Sequence, residues 1–209
     1  MNIAILVYDR LTALDAIGPY EVLSRLPGAS LSFVAAEAGP VRTDNGMLTL
    51  LAEHSLDEVI RPDVVLVPGG PGEVAARAGR SALEWLQAVD RTSTWTTSVC
   101  TGSLILAAAG LLDGRRATTH WLAFDELRRL GAEPVAERVV FDGKLVTAAG
   151  VSAGIDMALA LAAEIAGPDV AQAIQLGIEY DPQPPFDAGS PAKAPRQIVE
   201  ALRARSRFA

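Results

Sequence analysis

The sequence predicts an α/β protein, a sandwich of helices around a mostly parallel sheet. Three observations carry that prediction. Short apolar, β-branched runs alternate with stretches of helical spacing. The runs are too uniformly apolar to be half-exposed antiparallel strands. And one interior corner, "TTSVCTGSLIL" at 96–106, joins such a run directly to a small-residue helical stretch.

Taken in order, "IAILVY" at 3–8 is the first buried strand. It leads into "LDAIGPYEVLSRL", whose apolar residues at 14, 17, 22, 23 and 26 have helical spacing. Further strands are expected at 31–36, 63–70, 95–100 and 144–150, and helices at 81–90, 101–109, 121–130, 152–166 and 168–177. "VVFDGKLV" reads as a hairpin turning at Asp142-Gly143. Strands alternating with helices bury both faces of the sheet. The one composition shift is the Pro-rich "YDPQPPFDAGSPAKAP" at 180–195, with a helix of roughly ten residues expected after it. No second domain follows, so residues 1–209 are expected to form one domain, with 180–195 wrapped over its body or a partner subunit.

Composition narrows the function. Of 209 residues, half are apolar and 21% charged, which suits a packed core. A net charge of −7 without a basic cluster argues against a nucleic-acid surface. No apolar run reaches the length of a membrane span, and "MNIAILVYDR" has no secretory start. A single cysteine excludes an internal disulfide and fits a reducing cytoplasm.

In open parallel sheets, ligands bind beyond the carboxyl ends of the strands. Three such ends carry notable residues here: Asp15, the pair Gly69-Gly70, and Cys100. A cysteine on a strand-to-helix corner projects from the sheet, and the helix start beside it favours thiolate over thiol. The alternative is an inert, packed cysteine. "PGGPG" at 68–72 lacks phosphate-loop spacing; it reads either as a nest of backbone N–H groups for a developing anion or as an ordinary tight turn. Asp15 sits among Leu14, Ala16 and Ile17, so burial would let it keep a proton; the other reading is a helix N-cap. On a helix it shares a face with Gly18, Pro19 and Val22, away from Glu21. His120 could orient or deprotonate the thiol, or be a structural histidine. Trp121, Phe124, Tyr180 and Phe186 offer either an apolar pocket or plain packing. His54 and His120 give no metal spacing.

Together, "LDAIGPYEVL", "VPGGPG", "TSVCTGSLILAAAGLLDGRRATTHW" and "VSAGIDMALALAAE" resemble the ThiJ/PfpI superfamily. That resemblance implies a class I glutamine-amidotransferase-like, flavodoxin-like three-layer sandwich with Cys100 as nucleophile. Thr101 stands where the protease members place a histidine, so a protease dyad is not expected. Asp15, Thr101 and the late "QLGIEYDPQPPFDAGSP" are most similar to members that hydrate isocyanides. The implied chemistry is conversion of an isocyanide to an N-substituted formamide through a cysteine adduct. Asp15 would deliver the proton, Thr101 would assist, Gly69 and Gly70 would supply backbone donors, and neither metal nor cofactor would be needed. A homodimer is implied as well. The rival readings are a glyoxalase- or deglycase-like enzyme, a thiol redox sensor and a ligand-sensing module.

Overall fold

The structure is a computed structural model describing residues 1–208. In chain order the elements are β1 Asn2–Leu6, α1 Ala13–Leu23, β2 Ser30–Ala35, β3 Gly39–Arg42, β4 Thr49–Ala52, β5 His54–Ser55 and β6 Val64–Val67. Then come α2 Glu73–Ala78, α3 Arg80–Asp90, β7 Trp95–Val99, α4 Gly102–Ala108, β8 Arg116–Ala117 and a 3-10 turn at Trp121–Ala123. The chain continues through α5 Phe124–Arg129, β9 Glu133–Pro134, β10 Val139–Asp142, β11 Leu145–Ala148, α6 Ala153–Ala166, α7 Pro168–Gly177 and α8 Arg196–Ala204.

Seven strands form the main sheet in the order β10-β11-β7-β6-β1-β2-β5. Every pairing is parallel except the β10–β11 hairpin, in which Asp142 faces Leu145. The alternation of side chains explains the three layers. Ile3, Ile5, Val64 and Leu66 face α1, α6 and α7, where Val22, Met157 and Leu161 complete one core. Ala4, Leu6, Val65 and Val67 face the other way, onto Leu86 of α3, Leu104 and Ile105 of α4 and Leu127 of α5. Both faces are therefore apolar, the condition under which strands read as unbroken hydrophobic runs. The chain order reverses between β1 and β6, the switch point beyond whose strand ends open parallel sheets place their ligands.

Each of the main strands and helices predicted from periodicity is present, with ends trimmed by a residue or a few. The β3–β4 hairpin, the two-residue edge strand β5, α2 and the short β8–β9 pair were not predicted. All are brief, and Leu51 on β4 is largely exposed, so no burial pattern marks them. Of the two placements expected for the Pro-rich segment, the single chain does not show the one over its own body. Tyr180 anchors its start by donating its hydroxyl to Asp156 Oδ1 at 2.8 Å, yet residues 181–189 are exposed rather than laid on the body. Among the described residues no helix is long and apolar enough to cross a membrane.

Candidate active site

Cys100 occupies the corner between β7 and α4, with φ at +58°. A non-glycine residue in the left-handed region is strained, and such strain persists only where neighbours over-determine it. Here they do. The Cys100 N–H is shared between the carbonyls of Ala148 at 3.0 Å and Ala149 at 2.9 Å. Its own carbonyl accepts from the hydroxyls of Thr119 at 3.0 Å and Ser103 at 3.2 Å. The sulfur lies against the backbone N–H groups of Thr101 and Val151, two donors suited to a thiolate.

The surroundings of the thiol nonetheless work against its ionisation. Burial and then the Asp15 carboxylate drive its pKa well above the ordinary thiol value, and the two backbone donors offset only part of that. The helix start was expected to favour thiolate; against it stands desolvation, since Cys100 is only 6% exposed.

Asp15 is fully buried, at the third position of α1. It does not cap that helix, because Thr12 holds the cap position. Its Oδ2 instead accepts from the Gly69 N–H at 3.0 Å, and the Cys100 thiol is its other polar neighbour. Oδ1 has no nitrogen or oxygen partner. Burial raises its pKa from an ordinary 3.8 to about 7, with Gly69 and Cys100 pulling the other way. Gly18, Pro19 and Val22 are buried beside it and Glu21 is exposed, as the helical spacing predicted.

The two glycines are differently employed from the anion nest expected of them. The Gly69 N–H is committed to Asp15, and the Gly70 N–H donates to Thr101 Oγ1 at 3.0 Å. Gly70 has φ at +136°, and a Cβ there would lie 2.5 Å from the Thr12 nitrogen; one on Gly69 would lie 2.5 Å from the Thr101 nitrogen. The loop passes so close to α1 and α4 that only glycine fits. Thr101 is thus held by Gly70 through its hydroxyl and faces the sulfur through its amide.

His120 is not joined to the thiol by a hydrogen bond. Its Nδ1 accepts from the Leu122 N–H at 3.3 Å, capping the 3-10 turn, and burial followed by the Arg207 charge lowers its pKa. This hydrogen bond is the one its structural reading calls for. Trp121 and Phe124 line a recess of about 460 Å³ with Arg203 and Phe208. Tyr180 and Phe186 lie outside it, so the four aromatics build no common pocket.

Three residues that sequence reasoning did not single out belong to the surroundings of the pair, Tyr8 directly and Glu73 and Arg207 through the Gly70 loop. Tyr8, at the end of the first apolar run, donates its hydroxyl to the Pro68 carbonyl at 2.8 Å. Burial raises its pKa, as do the charges of Asp15 and Cys100. Glu73, at the start of α2, is fully buried, and its Oε1 lies 3.1 Å from Arg207 in the C-terminal tail. Tyr8 could have been read from its place at a strand end. Arg207 carried no signal, being 134 residues from its partner. No cluster of metal-ligating side chains exists among the described residues.

A parallel sheet between helical layers, with a strained cysteine at one strand end and a buried carboxyl facing it, defines a class of cysteine-elbow sandwich proteins. The chain belongs to the DJ-1/PfpI family, whose model matches residues 1–164. It is 44% identical over 206 residues to an isonitrile hydratase of Pseudomonas putida, covering 99% of this chain and 90% of that one. A ThiJ/PfpI family protein from Pseudomonas syringae superposes with a TM-score of 0.94 at 40% identity, covering 97% of this chain and 84% of its own. The HTH-type transcriptional regulator CdhR of Pseudomonas aeruginosa is 34% identical over 161 residues, 75% of this chain but only 47% of the regulator.

Proposed function

We propose that this protein is an enzyme that hydrates isocyanides to N-substituted formamides, with Cys100 as nucleophile and Asp15 as proton carrier. Near-full-length similarity to an isonitrile hydratase supports the reaction. The observation that carries the mechanism is the pairing of a strained elbow thiol with a buried carboxyl whose pKa sits near 7.

With the thiol held protonated and Asp15 titrating near neutrality, the pair keeps one proton above that point. As substrate arrives, Asp15 takes the thiol proton while sulfur bonds to the terminal carbon of R–N≡C, and the carbon then receives that proton. The product is the thioimidate R–N=CH–S–Cys100, which splits one hard hydration into two easier steps. Ionised again, Asp15 draws a proton from water as its oxygen adds to the same carbon and passes that proton to the nitrogen, giving R–NH–CH(OH)–S–Cys100. Collapse breaks the C–S bond, expels sulfur and releases R–NH–CHO, returning one proton to the pair. The Thr101 and Val151 amides stabilise sulfur whenever it carries charge. Gly69 and Gly70 act by fixing Asp15 and Thr101. No step requires a metal or an organic cofactor.

Purified protein is expected to convert an alkyl isocyanide to its formamide, and Cys100→Ala to abolish turnover. A Cys100→Ala variant with wild-type rates, or wild-type protein that turns over only methylglyoxal, would sink this reading. The proposed partner is a second copy of the chain, and the surface offered for it is the β3–β4 hairpin, where Met47 and Leu51 are 89% and 61% exposed and Asp44 is tied to Thr12. Sedimentation at micromolar concentration is expected to show a dimer, and Met47→Glu to weaken it.

A further inference from the structure

We propose that Arg207 is a positioning residue of the active site, clamping the Gly70–Glu73 turn so that Thr101 is held against the Cys100 sulfur. One nitrogen of its guanidinium donates to the Gly70 carbonyl at 3.2 Å and to Glu73 Oε1 at 3.1 Å. The turn closes internally through the Glu73 N–H, which also donates to the Gly70 carbonyl at 3.1 Å. Arg207 therefore grips the turn at both ends. From there the path to the sulfur is continuous: the Gly70 N–H holds Thr101 Oγ1, and the Thr101 N–H faces the thiol.

The turn cannot yield toward the body, because Gly70 already abuts the backbone of residues 10–12. Arg207 is itself held in place. Its guanidinium lies 4.7 Å from the centre of the Phe208 ring, and Phe208 packs on the core formed by α3, α4 and α5. Val199 buries the inner face of α8 just before it. This segment lies beyond the residues matched by the family model.

Two roles compete for this arginine. Glu73 is a fully buried carboxylate flanked by Arg77 and Arg207, so removing Arg207 leaves an under-compensated buried charge whatever its effect on chemistry. The double variant Glu73→Gln/Arg207→Met separates them, since it removes that charge, and Arg77 keeps its pairing with Glu126. The inference rests on the mechanism proposed above, so one readout is chosen that needs no isocyanide: the rate of Cys100 alkylation by iodoacetamide at fixed pH, followed by intact mass.

Arg207→Met is expected to lower both melting temperature and kcat. The double variant is expected to regain the melting temperature, yet to keep kcat about tenfold or more below wild type, the scale of a small misplacement of reacting groups. KM is expected to stay unchanged, and Cys100 alkylation to be slowed. A double variant with wild-type kcat and alkylation rate overturns the proposal, and so does one that stays as unstable as Arg207→Met. If the wild-type protein hydrates no isocyanide, the alkylation arm alone decides: slowed alkylation in the refolded double variant upholds the clamp while the hydratase reading fails.

Discussion

Replacing Asp15 by asparagine separates the demands of folding from those of chemistry. Burial lifts the carboxyl from 3.8 to about 7, roughly three pH units. At about 1.4 kcal/mol per unit this corresponds to about 4 kcal/mol. The sign follows from which state prefers the proton. The folded state does, so Asp15 favours folding fully below pH 4, loses that contribution as pH rises from 3.8 to about 7, and changes nothing further above. Asparagine never ionises, and its side-chain oxygen can still accept from the Gly69 N–H. The stability difference between Asp15→Asn and wild type is therefore expected to grow by about 4 kcal/mol in favour of the variant between pH 4 and pH 8. In a protein of this size that is a relative gain on the order of 10 °C in Tm. Urea unfolding at several pH values, with the m-value checked for constancy, measures it. Turnover is expected to collapse in the same variant. Stability curves that run parallel across this range, or a variant less stable than wild type at pH 8, would refute the burial argument.

The remaining predictions concern catalysis. In wild type, kcat/KM is expected to rise with pH through about 7 and then level, because the productive pair must first lose one of its two protons. A profile that falls across that interval would show that the protonated carboxyl with a neutral thiol is the reactive form. His120→Ala is expected to cost about 1 kcal/mol of stability through its lost cap and to change kcat only a few-fold. A loss of two orders of magnitude would restore His120 to the chemistry.

The layers of this fold were legible because both sheet faces are buried. Ile3 to Val7 and Val64 to Val67 leave no polar position to confuse the reading, and α6 carries enough residues to display its period. The pair Cys100 and Asp15 was legible by position, at the ends of elements that a parallel sheet must bring together. What could not be read was the balance of competing terms at those positions. The thiol has a helix start and two amides in its favour, yet desolvation outweighs them, and burial is a property of the assembled core. Likewise "PGGPG" announced a tight backbone without announcing that both amides would be spent on Asp15 and Thr101. Glu73 and Arg207 meet only because the tail returns across the molecule, and nothing local encodes that return.

The distorted backbone at residue 100 has a further consequence. Its cost falls on the main chain and is independent of the sulfur, so glycine at this position would relieve it by about 1 kcal/mol while leaving the Ala148, Ala149, Ser103 and Thr119 contacts intact. The sulfur offsets that relief through its contacts with the Thr101 and Val151 amides and Asp15, so a glycine corner would exchange buried partners for a relaxed main chain and fall chemically silent.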